Sequence, residues 1–425
     1  MTIRNFRVTG DKAAISLSAQ ETAYNAGVAL DVSLSIAEGD IPAFEYMRDP
    51  NTGELTGKEE VDTIYDKGKT ASVTLTFDKA KPHQILAAAA FAKGNVTTAA
   101  AGTGYEHTIT SLAGDVDYRR SNPTTSFGYR FSDILDRTYD GVGVDTYTLT
   151  FAKGEFVKLS VGLKMSGKVT DSVIEDTITD GDDSTSLTLL DGVYGSTAAE
   201  RLRNVQYARC QHSSGYYAPV EFSAVSDSTS AGVLTITPPG VSGSDVDYKV
   251  LYTKHDGKIT FPAVISESPL KVSRTTVVIG GKWNGTSFVG GRELVCELKN
   301  VECGYTNGLV TEFCFGEDAD YAGRIWRDAR TQTLKVDREF RDMLFQQMTT
   351  DSEYFGMYLI AEGAVYDDPH KYQVEIIYPR LAIKTPSVSV DGKRLAESLE
   401  LVVMEDDTYG SRIDKIKCLI PAVAV

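Results

Sequence analysis

Thr146-Tyr-Thr-Leu-Thr-Phe151 is followed closely by Val157-Lys-Leu-Ser-Val-Gly-Leu-Lys-Met165, and in both stretches the apolar side chains fall on every second residue. A period of two turns one face of an extended chain to a core and the other to water, so each reads as a half-buried antiparallel strand. Ala14-Ile-Ser-Leu-Ser18 and Ala71-Ser-Val-Thr-Leu-Thr-Phe77 repeat the pattern. Helical spacing is scarce. Its two best instances are Lys81-Pro-His-Gln-Ile-Leu-Ala-Ala-Ala-Ala-Phe91, opened by Pro82 and stopped by Gly94, and Arg338-Glu-Phe-Arg-Asp-Met-Leu-Phe-Gln-Gln-Met348. The expected fold class is therefore mainly β.

Both helices follow a strand with the same ending, Leu75-Thr-Phe-Asp78 in one case and Leu334-Lys-Val-Asp337 in the other. Asp78 and Asp337 are thus candidate helix N-caps, since a carboxylate accepts the orphan amide hydrogens of a first turn. A long polar stretch precedes each strand, Glu38 to Lys69 and Gly316 to Arg330, and a terminal run follows each helix, Val157 to Val169 and Asp414 to Val423. The same order of parts occurs twice, which divides the chain into a first copy at 1–170, a middle stretch at 171–256 and a second copy at 257–425.

The middle stretch differs in composition. Asp171 to Glu200 holds eight acidic residues and no Lys or Arg, and 171–256 as a whole carries 13 acidic against 5 basic residues, or −8 of the chain's −16. Asn204-Val-Gln-Tyr-Ala208, Val220-Glu-Phe-Ser-Ala-Val225, Gly232-Val-Leu-Thr-Ile-Thr-Pro-Pro239 and Val246-Asp-Tyr-Lys-Val-Leu-Tyr-Thr253 predict a small inserted β-sandwich. Its charge suits a solvated module that keeps an assembly soluble.

The chain has 425 residues, 43 Lys+Arg and 59 Asp+Glu. That surplus of acid excludes a protein that wraps nucleic acid from outside, which needs clustered cations, but it leaves room for a surface along which DNA slides. The longest apolar run, Ile85 to Ala92, is far shorter than the roughly 20 residues of a membrane span. No secretory signal opens the sequence, so synthesis in a cytoplasm is expected. Cys210, Cys296, Cys303, Cys314 and Cys418 show no zinc-binding spacing and are expected as free thiols, Cys296 and Cys303 acting as small buried hydrophobes.

No catalytic residue, metal site or cofactor emerges from the sequence. His83, His107, His212, His255 and His370 form no ligating pair, and Cys210-Gln-His212 is an isolated neighbourhood. Carboxylate neighbours such as Glu59-Glu60, Asp182-Asp183, Asp367-Asp368 and Asp406-Asp407 read as a solvated surface rather than a glycosidase dyad. Asp180-Gly-Asp-Asp183 and Asp391-Gly392 lack the full ligand set of a calcium loop. Gly280-Gly281 and Gly290-Gly291 bracket a hairpin turning at Asn284-Gly285.

Ala19-Gln-Glu-Thr-Ala-Tyr24, the joint from Leu75 to Phe91, Tyr105-Glu-His-Thr-Ile-Thr110, Thr124-Thr-Ser-Phe-Gly-Tyr129 and the closing run from Tyr147 to Lys168 together resemble the tail tube proteins of tailed bacteriophages. Thr276-Val-Val-Ile-Gly-Gly281, Glu293 to Leu298, the Asp337 helix and Tyr372 to Leu401 are similar to the second tube domain of two-domain members. The resemblance lies in pattern and order and skips the middle stretch.

It implies two tandem β-sandwich or barrel domains, each with one flanking helix, and an immunoglobulin-like exterior insertion. Neighbouring domains would join strands into a closed ring, rings would stack into a tube for DNA delivery, and closure would remove the sheet edges that invite aggregation. Two domains per chain imply a trimer per ring, with a hexamer of chains as the alternative. Glu45, Asp49, Glu54, Asp318, Tyr321, Arg324 and Trp326, in the two polar stretches, become candidate stacking or subunit-interface residues, with the aromatics as anchors. Implied partners are other copies, terminator, tape measure and distal tail proteins, and DNA passing without specific binding; the implied location is a virion tail assembled in a bacterial cytoplasm. Alternatives are a distal tail or baseplate ring, the tube of a phage-like particle, and an extracellular carbohydrate-binding adhesin.

Overall fold

The computed structural model describes residues 14–34, 38–39, 41–52, 60–61, 63–111, 123–131, 135–212, 215–240, 245–314, 320–392, 394–421 and 423. The fold is mainly β, with 60% strand and 8% helix. The described residues form two compact units: one takes in 14–16 and those within 127–138 and 169–262, the other those within 17–126, 139–168 and 263–425.

In the first unit, Val173–Gly181, Asp245–Thr253, Val205–Gln211 and Tyr217–Pro219 form a four-stranded antiparallel sheet. A second sheet joins Ser186–Thr188, Val233–Ile236 and Phe222–Val225. Both contribute to one core, with Leu187, Leu234 and Ile236 from one sheet meeting Val205, Tyr248, Val250 and Tyr252 from the other. The helix Ala198–Asn204 is opened by Thr197, whose hydroxyl accepts from the Glu200 amide while Glu200 accepts from Thr197 in return.

The second unit contains the elements labelled here: β1 (Glu38–Gly39), β2 (Ala43–Pro50), β3 (Ile64–Phe77), α1 (Pro82–Lys93), β4 (Gly94–Ala101), β5 (Gly104–Ser111), β6 (Leu135–Ala152), β7 (Lys158–Met165), β8 (Thr275–Trp283), β9 (Leu298–Thr306), β10 (Leu309–Glu312), β11 (Arg324–Arg327), β12 (Thr331–Glu339), α2 (Leu344–Thr350), β13 (Phe355–Asp367), β14 (His370–Asp391), β15 (Arg394–Met404) and β16 (Ile413–Cys418). The part of β6 from Tyr139 onward belongs here.

β1 and β2 run in line along β3, β3 pairs β7, and β7 pairs β6. The second copy repeats that order: β9 pairs β12, β12 pairs β15, and β15 pairs the C-terminal half of β14. Numbered along the chain, each copy has the spatial strand order 1-2-4-3. The alternation read from sequence places Leu75, Phe77, Leu149, Leu159, Val161, Leu334, Val336, Leu399 and Leu401 on one buried face. The N-terminal half of β14 turns into a second layer, β8–β13–β14–β16–β5–β4, so the hairpin β4–β5 of the first copy finishes a sheet of the second.

Three sequence expectations are corrected here. Asp78 does not cap α1: the N-cap is Lys81, whose amide is taken by Gln84 Oε1 at 2.9 Å, while Asp78 faces Lys158 at 3.6 Å. Asp337 is no cap either, because β12 continues through it to Glu339 and α2 begins only at Leu344, with Met343 as N-cap. The reason is Arg338, which is fully buried and donates to Glu397 at 2.7 Å and Glu297 at 2.8 Å, a pairing that holds this residue in the sheet. The expected terminal run of the second copy also differs: β15 matches β7, and β16 instead lies between β14 and β5.

Candidate assembly interface

The two copies meet strand to strand. β6 of the first pairs antiparallel with β9 of the second from Thr146 opposite Thr306 to Ala152 opposite Asn300. This makes one continuous eight-strand layer with the order β1/β2–β3–β7–β6–β9–β12–β15–β14, and it leaves two ends. Among the described residues nothing pairs with the outer edge of the β1–β2 line or with the outer edge of β14 beyond Leu381.

Those two edges are the two halves of the joint already made inside the chain. The joint uses strand 3 of the first copy against strand 1 of the second. Among the described residues, the edges with no strand partner are strand 3 of the second copy, β14, and strand 1 of the first, β1–β2.

The direction of the free groups on β14 follows from one residue. Pro386 stands opposite Leu399 and has no N–H, so that pair is the non-hydrogen-bonded kind, and the backbone groups of Pro386 point away from β15. Val388 and Val390 share its phase and therefore turn their N–H and C=O groups to the open edge. Their side chains are exposed as well, Val390 to 74%.

Behind the internal joint lies a buried polar lock. Lys93 at the end of α1 reaches Asp414 at 2.7 Å, Arg412 Nε donates to the same carboxylate at 2.7 Å, and Tyr147 donates to it at 2.6 Å. Burial alone would raise the Asp414 carboxyl, but Arg412 and Lys93 outweigh it and hold it at about 2. Burial pulls the Lys93 ammonium down to about 8, because the one carboxylate it faces is shared with Arg412. Arg412 sits over the rings of Tyr147 and Tyr378, at 4.9 and 5.6 Å.

Asn307, just past β9, ties the same region together: its Nδ2 donates to Ala92 O at 2.8 Å and Val144 O at 3.0 Å, and its amide donates to Asp145 O at 2.7 Å. Asn307→Ala leaves a helix-end carbonyl and a strand carbonyl without a donor, and is expected to lower stability by about 1–3 kcal/mol, read as a shift of the urea midpoint.

The described residues 307–314 and 320–330 extend along the ends of the first copy's strands. Leu309 N donates to Asp145 Oδ1 at 2.6 Å, Lys164 Nζ donates to Leu309 O at 2.6 Å, Ala322 N to Ser166 O at 2.9 Å and Lys69 N to Asp320 O at 2.8 Å. Leu309 and Ile325 fill the space over Gly143, where a Cβ would fall 2.6 Å from Leu309 Cδ1.

The sequence-predicted interface residues therefore divide. Tyr321 forms a β-bridge with Lys69, and Arg324 and Trp326 lie on β11, so all three belong to a segment folded over their own chain. Glu45 and Asp49 lie on the exposed arm β2–β3, where Glu45 accepts from Ser72 Oγ at 3.0 Å and Asp49 pairs with Lys67 at 2.5 Å. Glu54 and Asp318 fall outside the described residues. Cys303 is buried and its thiol is pushed up to about 11 by burial, whereas Cys296 is exposed, at φ +59°, and is no core residue. Sequence reading missed Lys93, Arg412 and Asp414. The one available signal was a lysine ending an otherwise apolar helix, and nothing local names its partner.

Among the described residues, no group of three His, Cys, Asp or Glu could hold a metal ion, and no helix is long and apolar enough to cross a membrane. No protein-family model matches the chain, and no curated protein matches it as a relative.

Proposed function

We propose that this chain is a structural subunit that closes into a ring by repeating, between copies, the strand joint it already makes within itself, and that stacked rings form the tube of a phage tail. The observation that carries the reading is that β14 and β1–β2, which have no strand partner on their outer edges among the described residues, are the missing halves of the β6–β9 joint. A contact that joins different patches head to tail either closes or runs on as a filament, and the constant twist between strands favours closure. Both copies lie in one continuous layer, which favours three chains contributing six repeats over six chains in which one copy only decorates.

The outward face of that layer supports a conduit. Thr74, Thr76, Thr148, Thr150, Ser160 and Thr333 present hydroxyls, with Lys335 and Glu302 of opposite sign among them. A small, mixed-charge wall gives a phosphate backbone no row of cations to hold it, so DNA passes without being trapped. In this reading the acidic inserted unit is an exterior module, and the working partners are further copies and the other proteins of a tail. A distal tail or baseplate ring would use the same joint without unlimited stacking.

Negative-stain electron microscopy of the purified chain over a concentration series tests the reading. Rings and stacks of rings are expected; particles that remain monomeric at every concentration would overturn it.

A further inference from the structure

Behind the β6–β9 joint the buried cations outnumber their counter-charge. The rings of Tyr147 on β6 and Tyr305 on β9 lie 5.4 Å apart, and three cations stand over them: Arg412 at 4.9 Å from the Tyr147 ring, Lys93 at 5.6 Å and Arg330 at 5.8 Å from the Tyr305 ring. Among the described residues, Asp414 is the one carboxylate within ion-pair distance of any of them, and it serves Lys93 and Arg412 only. Both ring hydroxyls are engaged, Tyr147 donating to Asp414 and Tyr305 bonding Ser111 Oγ at 3.1 Å.

Two guanidinium edges are left over. Arg412 uses Nε on Asp414, and its Nη1 and Nη2 are buried with no hydrogen-bond partner on a side chain that is 0% exposed. Arg330 has Nε and Nη2 buried in the same condition, and among the described residues it makes neither a hydrogen bond nor an ion pair. Nε with Nη2 is the edge by which two other arginines of this chain grip a carboxylate: Arg130 donates from those atoms to the two oxygens of Asp136 at 2.9 and 3.0 Å, and Arg137 does the same to Asp171. A buried guanidinium edge without an acceptor is destabilising, and a ring face beneath it attracts the charge but accepts no hydrogen bond from the edge. The Lys93 ammonium registers the same excess: burial, then Arg412 and Arg330, pull it down to about 8 against the attraction of Asp414.

We propose that this cluster is a structural anion site, in which one tetrahedral oxyanion of the phosphate and sulfate class is shared between the Nε–Nη2 edge of Arg330 and the Nη1–Nη2 edge of Arg412, beside the ammonium of Lys93. Each edge takes two oxygens, so a tetrahedral oxyanion satisfies both, whereas a halide has a single atom to divide between them. Lys93 belongs to the first copy, Arg330 and Arg412 to the second. The anion therefore fastens the two copies at their internal joint with a counter-charge that Asp414 alone does not supply. Arg330 is the one of the three that reaches solvent, Lys93 and Arg412 each being 1% exposed, so the anion exchanges past it.

Thermal denaturation of the full chain in a phosphate-free zwitterionic buffer, repeated with millimolar inorganic phosphate, tests the site. A ligand that binds only the folded state raises the midpoint with the logarithm of its concentration once it exceeds Kd. The parent chain is expected to show that rise, and isothermal titration is expected to count one phosphate per chain. Arg330→Gln, which removes the edge and the charge, should abolish the rise; Arg330→Lys, which keeps the charge without the edge, should raise Kd by about tenfold. Sulfate should act as phosphate does, and chloride at equal ionic strength should not. The general effect of phosphate on apolar burial acts on parent and variants alike, so the difference between them is what reports the site. No rise in the parent, no phosphate bound on titration, or a rise in either variant equal to the parent's would overturn the proposal, and the lysine variant decides it should the glutamine variant fail to fold.

Discussion

Asp414→Asn is expected to lower the unfolding free energy by about 3–5 kcal/mol, because it leaves Lys93 and Arg412 buried without their counter-charge. Both cations are about 1% exposed, and the carboxylate is the acceptor for both, at 2.7 Å each. Lys93→Met should cost far less, within about 1 kcal/mol, since it exchanges a poorly compensated ammonium for an apolar chain of similar length and leaves Asp414 to Arg412. The asymmetry also has a pH signature. The folded Asp414 carboxyl lies at about 2, below its usual value of 3.8, so its contribution is complete above about pH 4 and is lost as the pH falls towards 2. The folded Lys93 ammonium lies at about 8, below its usual 10.5, so the unfolded chain binds the extra proton between those values and stability rises with pH across that window. Thermal melts at pH 7 and pH 9.5 should show that rise in the parent chain and its absence in Lys93→Met. Equal losses for the two variants would contradict this account of the lock.

Val388→Pro is expected to abolish assembly while leaving the monomer folded. Proline removes the outward N–H of Val388 and adds a ring at the open edge, whereas the pair with Glu397 on β15 gives up no hydrogen bond at this phase. Pro386, at the same phase, shows that the position class accepts proline. Ser389→Pro is the control: it stands opposite Ala396 in the alternate phase, so it breaks the β14–β15 ladder and should lower the thermal midpoint instead. Sedimentation separates the cases. A Val388→Pro chain that assembles like its parent would remove β14 from the joint.

Much of the layer was legible in the sequence because alternation fixes which face of a strand is buried, and that reading held for 71–77, 146–151 and 157–165. The duplication was legible through the matching Leu75 and Leu334 endings. What was not legible depended on partners distant in the chain. Arg338 has good helix propensity and sits in a helix-like pattern, but Glu297, just before β9, and Glu397 on β15 make it a sheet residue. Asp337 and Asp78 looked like caps because a carboxylate before a helix usually is one, and here the chain takes further residues to turn before each helix begins. The stretch from Gly316 to Arg330 read as a polar segment reaching a neighbour, yet in its described part Ile325, together with Leu309 just before it, packs over Gly143 of the first copy. Alternation cannot reveal an edge either: β14 carries its pattern into a region where both faces and one side are open, and only the strand order shows that this side lacks a partner.

The claim on which the account depends is that the internal β6–β9 joint recurs between chains at β14 and β1–β2. Amide hydrogen exchange across the assembly transition measures it most directly. The account predicts that Val388 and Val390, whose N–H groups face the open edge, exchange freely in the monomer and become protected when rings form, together with the β1–β2 line. Assembly that leaves these amides as fast as in the monomer would contradict it.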